Sequence, residues 1–306
     1  MEQTKETIYE EVELLLNKQK NTYKQSKEIA LAFSNNERQI VNGYQGRQLL
    51  EMLQNADDSG ATEVAINFSD DTLTISDNGR GFSLEGIQSL FIPNCSSKAN
   101  SSDNIGNKGI GFRSILNWST DITLKTKDCK LHFTKIIAEE YAKELYGVEE
   151  YDNIKRKRGL GTKEVPFPLL GVCELEKINS VKTGTDIILL CFGNKHQEIQ
   201  DQLDFIEKHF LLFTKNLQKV IINDIEFSRE QEKTDTCDDF FVTPIKINGN
   251  EECEEWRVFE INGEYDESIE IHSSDRKYSI KIALPKAEYN YRKVLYNYFP
   301  MEEYLG

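Results

Sequence analysis

A carboxylate, an amide and a second carboxylate recur along one short stretch of the chain. They are Glu51, Asn55 and Asp58 in the run Glu51-Met52-Leu53-Gln54-Asn55-Ala56-Asp57-Asp58. Leu49, Leu50, Met52 and Leu53 give this run an apolar period, and neither Gly nor Pro interrupts it between Arg47 and Asp58, so a helix is predicted. On a helix, residues three and four apart share a stripe. Glu51, Asn55 and Asp58 therefore stand together while Leu49, Leu50 and Leu53 take the other faces. Three oxygen donors on one stripe suit a hydrated Mg²⁺, which takes few protein oxygens and keeps waters for itself and for phosphates. A carboxylate left outside the metal shell can orient or deprotonate an attacking water. A solvated polar face ending at Ser59-Gly60 is the competing reading of this helix taken alone.

A second set follows a segment that alternates as a half-buried strand does, through Val64, Ile66 and Phe68 and then Leu73 and Ile75. A hairpin through Ser69-Asp70-Asp71 delivers Asp77 to a strand end, at the head of Asp77-Asn78-Gly79-Arg80-Gly81. Gly79 and Gly81 permit positive φ and close approach of a ligand to the backbone. A buried carboxylate beside such a loop can accept a hydrogen bond from an exocyclic amine, the contact that tells adenine from guanine. By itself, Asp-x-Gly is equally an ordinary turn. A third set, Ile105-Gly106-Asn107-Lys108-Gly109-Ile110-Gly111-Phe112-Arg113, runs into a predicted helix over Phe112–Trp118. Backbone amides of Gly109, Ile110, Gly111 and Phe112 at its start would form an anion site for phosphates, with Lys108 and Arg113 adding positive charge. The spacing is not that of a Walker A loop, and the acidic helix lies before the glycines rather than a crossover after them, which excludes a dinucleotide fingerprint.

The order and spacing of these boxes resemble the GHKL superfamily of Bergerat-fold ATPases, which includes heat-shock chaperones, MutL proteins, type II topoisomerase subunits, MORC proteins and sensor histidine kinases. The resemblance implies that Glu51 is the general base aligning the hydrolytic water and that Asn55 is the Mg²⁺ ligand. It makes Asp58 a site-lining acid and Asp77 the reader of adenine. Gly79 and Gly81 match the second box, with Phe82 counted beside them, and Gly106, Gly109 and Gly111 match the phosphate-proximal box. Gly184-Thr185-Asp186-Ile187-Ile188-Leu189-Leu190 resembles the final Gly-Thr box, placing Thr185 near the adenine through its hydroxyl and a water. Ser96-Ser97-Lys98 lies in the connection that acts as a mobile lid in this superfamily, here expected at 92–113, so Lys98 joins the ATP-binding set. Within the superfamily, Tyr44-Gln45-Gly46-Arg47-Gln48-Leu49-Leu50-Glu51 resembles the sacsin-type ATP-binding domain, and Gly111-Phe112-Arg113 echoes MutL. Softer likenesses to sacsin-type proteins lie at Trp256-Arg257-Val258-Phe259, Ile282-Ala283-Leu284-Pro285 and Tyr298-Phe299-Pro300-Met301, where Met301 departs from the expected threonine.

The resemblance implies an α+β fold, a two-layer sandwich with a mixed, mostly antiparallel sheet and helices on one face. Composition agrees. A chain of 306 residues, 38% hydrophobic and 29% charged, can bury one large core or two modest ones. No apolar run is long enough to span a membrane, and the N-terminus lacks a secretory pattern. Six cysteines without a Cys-x-x-Cys pair read as free thiols in a reducing cytoplasm. Cys95 near Lys98 is the one weighed for reactivity, and the four histidines show no metal-ligand spacing. A net charge of −15 opposes broad contact with a nucleic-acid backbone. The cluster Lys155-Arg156-Lys157-Arg158 reads as a solvated loop.

Residues 3–33 read as one or two amphipathic helices, and a periodic helix is expected through Ile199, Leu203, Ile206, Phe210 and Phe213. The ATP-binding domain, with its N-terminal helices, is expected over 1–228. Over 229–306 a linker and a small β-rich segment are expected, with strands near 241–248, 255–262 and 278–284, the possible start of a middle domain. Lys281 and Lys286 are candidates to meet the γ-phosphate. The expected function is Mg²⁺-dependent ATP binding and slow, conformationally gated hydrolysis, serving as a switch for a larger protein or an unidentified protein partner, with an ATP-dependent homodimer as one assembly. Protein quality control and bacterial defence enter by analogy alone. Two alternatives stand beside it: a non-hydrolysing nucleotide-dependent scaffold, and a histidine-kinase-like phosphotransferase. Against the latter, no His precedes His132.

Overall fold

Alternation of apolar and polar residues builds the sheet that positions everything else. β1 (Glu63–Ser69) and β2 (Thr72–Asp77) form the expected hairpin, burying Val64, Ile66, Leu73 and Ile75 on one face. Asp70 turns the corner at φ 51°, a left-handed conformation that Asp tolerates better than most residues. The computed structural model describes residues 7–43, 46–92, 110–161, 164–237, 240–249, 252–264, 277–289, 296–297 and 299–300.

Two long strands, β3 (Ser119–Thr134) and β4 (Glu174–Cys191), pair antiparallel, and β4 joins them to β2. On the other side β1 pairs with β5 (Lys219–Ile222), the one parallel ladder among the described residues. Antiparallel steps then continue through β6 (Ile225–Gln231), β8 (Phe241–Gly249), β9 (Glu252–Glu264) and β10 (Lys277–Pro285), while β7 (Asp235–Thr236) hangs on β8. The strand order is β10-β9-β8-β6-β5-β1-β2-β4-β3.

Helices cover one face of this sheet. α1 (Ile8–Gln25), α3 (Gln48–Asp58) and α4 (Leu84–Phe91) bring Leu16, Leu49, Leu53, Ile87 and Phe91 into one core with Leu73, Ile75, Leu124, Ile187 and Leu189. Burying each such side chain contributes roughly 1.5–3 kcal/mol. The opposite face carries half-buried Thr72, Thr74 and Ser76 and a Leu190 that is 53% exposed. This is the two-layer α+β sandwich with a mostly antiparallel sheet that the sequence led us to expect. A smaller core joins α1 and α2 (Lys27–Gly43) to α6 (Lys135–Tyr146) and α7 (Val148–Lys157) through Tyr23, Ala30, Ala142, Tyr146 and Phe167. No helix among the described residues is long and apolar enough to cross a membrane.

Several expectations differ from the structure, among them the basic cluster expected as a loop, of which Lys155, Arg156 and Lys157 form the last turn of α7. The boundary expected at 228 falls inside β6, where Ser228–Gln231 pair with Asn248–Ile245 of β8, and Ile245, Ile247, Trp256 and Val258 join the main core. The polar composition of 228–239 misled because β6 buries only Phe227 and Arg229. The periodic helix also stops early. α5 (Ile110–Arg113) precedes it in the chain, and α8 (His196–Phe205) is followed by a 3₁₀ turn over Lys208–Leu212 instead of further α-helix. Arg229 draws the carbonyls of Leu211 and Thr214 onto its Nη1 at 2.9 and 2.7 Å, and Glu254 takes the Lys208 ammonium and the His209 ring at 2.8 Å each. Partners on β6 and β9 thus replace the helical pattern.

Candidate functional site

The first box lies on α3 as its spacing requires. Leu49, Leu50, Met52 and Leu53 are buried, whereas Glu51, Asn55 and Asp58 are half-buried along the expected stripe. Between them Asp57 points the other way and is fully buried. Its Oδ1 accepts the amides of Asn216 and Leu217 at 2.7 and 2.8 Å, and its Oδ2 accepts that of Lys215 at 3.0 Å. Asp57 therefore fixes the turn that leads into β5, a role adjacent to the site and separate from it.

The second box is reached from the sheet. On the core face, Ile75 of β2, Ile187 of β4 and Leu124 of β3 stand side by side. Side chains on a strand return to the same face every second residue, so the next row on this face is Asp77, Thr185 and Thr126. The apolar core ends in this polar row. Asp77 Oδ1 accepts the Gly79 amide at 2.8 Å, and the carboxylate also takes hydrogen bonds from the Thr185 hydroxyl and backbone. Burial outweighs these bonds and the nearby Lys182 charge, and pushes the Asp77 pKa above the ordinary carboxylate value. A desolvated carboxyl with fixed orientation is what a purine amine needs as an acceptor.

Glycine is required where this row meets its loop. Gly81 adopts φ 70°, and a Cβ there would stand 2.6 Å from Thr126 Oγ1. That hydroxyl accepts the Phe82 amide at 2.9 Å, so the second box is tied to β3. A Cβ at Gly184 would fall 1.7 Å from the Asp77 carbonyl oxygen, which accounts for the glycine before Thr185. At Gly79 an added Cβ would meet Ser59 Oγ at 2.0 Å, at the end of α3. Arg80 reinforces that junction, its Nε and Nη2 donating to the carbonyls of Ser59 and Asp58 at 3.1 and 3.3 Å. Asn78 Oδ1 meanwhile accepts the amides of Thr62 and Glu63 at 2.9 and 3.0 Å. The first two boxes are thereby fastened together. Thr126 was missed in sequence, although Ile122-x-Leu124-x-Thr126 alternates as the other inner strands do.

Lys98 of the expected lid and Gly106, Lys108 and Gly109 of the third box lie outside the described residues, as do Cys95 and most of the lid expected at 92–113. Ile110 opens α5. A Cβ at Gly111 would stand 2.6 Å from Glu51 Oε2, so this glycine lets α5 pack directly on the expected general base. Phe112 is buried edge-on to Phe82, with ring centroids 6.0 Å apart. Boxes one, two and three therefore touch. The helix expected over 112–118 is only four α-helical residues followed by a 3₁₀ turn, Ser114–Asn117. Arg113, expected at the phosphates, is directed into the helical layer. Its side chain is 1% exposed, and Nη1 and Nη2 donate to the carbonyls of Ser89 and Leu90 at 3.0 and 2.7 Å. Charge alone placed it at the phosphates, whereas among the described residues its Nη1 and Nη2 reach the carbonyls at the end of α4.

Lys281 and Lys286 sit on or just after β10, where they meet Glu260 at 3.4 Å and Glu255 at 2.7 Å. β10 and β2 are six spacings apart in the strand order, roughly 29 Å at the usual interstrand distance. The described histidines pair with carboxylates, His132 with Asp121, His196 with Asp71 and His209 with Glu254. Buried Cys129 and Cys173 have thiols pushed up to about 12 by desolvation, which leaves them poor nucleophiles.

The donor set fits Mg²⁺. Half-buried Glu51, Asn55 and Asp58 offer hard oxygens on one stripe beside the polar row, while no group of three His, Cys, Asp or Glu among the described residues forms an all-protein cage. Mg²⁺ is usually bound through one or two protein oxygens, with waters and phosphates completing its shell.

No curated protein matches the chain in sequence. Residues 46–163 match the family described as Histidine kinase-, DNA gyrase B-, and HSP90-like ATPase. The match takes in α3, the hairpin that ends at Asp77, the Gly111 helix and Thr126 of β3, so residues 46–163 are a GHKL-type ATPase domain on the Bergerat fold.

Proposed function

We propose that this chain binds ATP with Mg²⁺ and hydrolyses it slowly, as a conformational switch for a larger protein or a protein partner. The observation that carries the reading is the convergence of a half-buried glutamate on α3 with a polar row closing the sheet core, joined by glycines that leave no room for side chains. Asp77 would accept the adenine amine, with Thr185 beside it supplying a hydroxyl. Asn55 would hold the Mg²⁺, and Asp58 would line the site. When bound, the cation offsets phosphate charge. Glu51 would orient the attacking water and take its proton, held from behind by Gly111. Gly79, Gly81 and Phe82 shape the base end. Ile110 and Phe112, with Lys98, Gly106, Lys108 and Gly109, belong to the phosphate end. The sacsin-type branch is the subgroup that Gln48-Leu49-Leu50-Glu51 and the residues before it favour.

Calorimetry with ATP and Mg²⁺, paired with phosphate release, tests this on the wild type, Glu51→Ala and Asp77→Asn. Hydrolysis by the wild type, binding without turnover in Glu51→Ala and lost binding in Asp77→Asn support the reading. Binding with equal turnover in wild type and Glu51→Ala removes Glu51 as the base. No binding of ATP by the wild type at millimolar concentration overturns the reading and favours a scaffold.

A further inference from the structure

Arg113 stands where three parts of the helical layer meet. The carbonyls of Ser89 and Leu90 that it takes belong to the last turn of α4, past the reach of that helix's own N–H groups. A side chain from the third box therefore caps a helix that follows the second, with its positive charge at the negative end of the helix dipole. Arg113 Nε lies 3.9 Å from Oε1 of Glu37, near the middle of α2. Glu37 is buried too, and its two oxygens accept the amides of Leu169 and Leu170 at 2.6 and 3.2 Å, at the start of a 3₁₀ turn.

On the site side, Gly111 precedes Arg113 by two residues and has Glu51 Oε2 where its own Cβ would be. Helical rise makes the step from Gly111 to Arg113 about 3 Å. Ser114 Oγ donates to the Gly111 carbonyl at 2.6 Å and stiffens the piece. A movement of the guanidinium thus reaches the surface against which Glu51 rests with little chain between to absorb it. Buried ion pairs often add no net stability over apolar residues of the same size. A fixed geometry is the better account of a charge pair in this place.

We propose that Arg113 and Glu37 are a positioning pair for hydrolysis. Arg113 seats α5 so that Gly111 backs Glu51 at the angle the attacking water needs, and Glu37 makes that seating depend on α2 and the turn at 169–171. Both act through Glu51 and not through a contact of their own with the nucleotide. The proposal rests on the ATPase reading above. A misplacement of about 1 Å near a reacting group can cost roughly a hundredfold in rate, so the pair acts on turnover far more than on affinity.

The test uses Arg113→Lys, which keeps the charge and loses the two-pronged cap, and Glu37→Gln, which keeps the shape, loses the charge and puts an NH2 in place of one of the two oxygens that accept the Leu169 and Leu170 amides. ATP affinity, kcat and KM, melting temperature and amide exchange of the nucleotide-free chain are measured together. The expected result in both is a kcat at least tenfold below wild type, with ATP affinity within threefold. In Glu37→Gln, exchange should quicken over 110–117 and stay unchanged over 72–77 and 185–190. Turnover within twofold of wild type in both variants overturns the proposal. So do unchanged exchange over 110–117 and a loss of kcat matched by an equal loss of ATP-binding sites, which would mark simple unfolding. A wild type that neither binds nor hydrolyses ATP is a different failure, because it removes the ATPase reading and the proposal falls with it.

Discussion

Gly184 offers a substitution whose effect can be worked from one contact. A Cβ at this position would lie 1.7 Å from the Asp77 carbonyl oxygen and 2.6 Å from the carbonyl carbon. Carbon and carbonyl oxygen rest no closer than about 3.3 Å, so in Gly184→Ala the ends of β2 and β4 must separate by roughly 1.5 Å. That separation falls on the pair Asp77 and Thr185, whose hydroxyl and backbone both hydrogen-bond the Asp77 carboxylate. Hydrogen bonds to a charged group contribute about 1.5–3 kcal/mol each, and losing one or both predicts a destabilisation of roughly 2–4 kcal/mol. At about 2 °C per kcal/mol for a chain of this size, the melting temperature should fall by roughly 4–8 °C. The same displacement carries the adenine acceptor out of hydrogen-bond reach, and ATP affinity should fall on the order of a hundredfold. Gly193→Ala is the control, because nothing lies within 4 Å of a Cβ there. Thermal melts and ATP calorimetry on both variants decide the matter. If Gly184→Ala melts within a degree of the Gly193→Ala control and binds ATP within threefold of it, the close approach of the two strands is not what the glycine serves.

Asp57→Ala removes the acceptor of three backbone amides, that of Leu217 buried and those of Lys215 and Asn216 part-buried; at about 1–3 kcal/mol for the buried group and less for the other two it should cost roughly 2–4 kcal/mol in urea unfolding, and a change under 1 kcal/mol would remove Asp57 as the anchor of the turn before β5. Asp77 carries a pKa raised by burial, so its contribution to stability is present below the ordinary carboxylate value and is lost as pH rises through the raised one. Asp77→Asn, neutral throughout, should therefore gain melting temperature relative to wild type as pH goes from 4 to 7 while failing to bind ATP; a difference that shrinks with rising pH contradicts the assignment. Thr126→Val leaves the Phe82 amide without its 2.9 Å acceptor and should weaken ATP binding by about tenfold, whereas Thr126→Ser keeps the hydroxyl and should bind as wild type does. Equal affinities for the two variants would show that the Thr126 hydroxyl does not hold the second box.

The parts of the candidate site whose placement was legible in the sequence are those whose partners are close in the chain. Glu51, Asn55 and Asp58 needed only the helical period, and Asp77 needed only a strand that alternates up to it. Residues whose roles depend on partners far away were misjudged or missed. Arg113 reads as a phosphate ligand until Ser89, Leu90 and Glu37 are found around it. Thr126 joins the row of Asp77 and Thr185 only through the register of β3 on β4. The strands at 241–249, 252–264 and 277–285 were expected nearly in place, but their attachment to the main sheet was not, since β6 pairs with β8 across a stretch whose composition is that of a linker.

Adjacent acids show why composition cannot assign a role that geometry can. Asp57 and Asp58 are neighbours of one residue type, yet one is sealed under the α3 helix and the other lies on its half-buried stripe. Asp57 and Glu37 both commit each carboxylate oxygen to backbone amides of a turn, Lys215–Leu217 for the first and Leu169–Leu170 for the second. Such a carboxylate holds the chain in place and has no face to offer a ligand. Asp77 is anchored differently, by Gly79 on the loop and by Thr185 at the end of the core, and it is only half buried. Its burial raises the energy of the charged form, and a purine amine supplies the donor that would lower it again. A carboxylate held in place yet incompletely compensated is what the proposed adenine contact calls for, and in the described structure such a carboxylate stands where the apolar rows of the sheet give way to Asp77, Thr185 and Thr126.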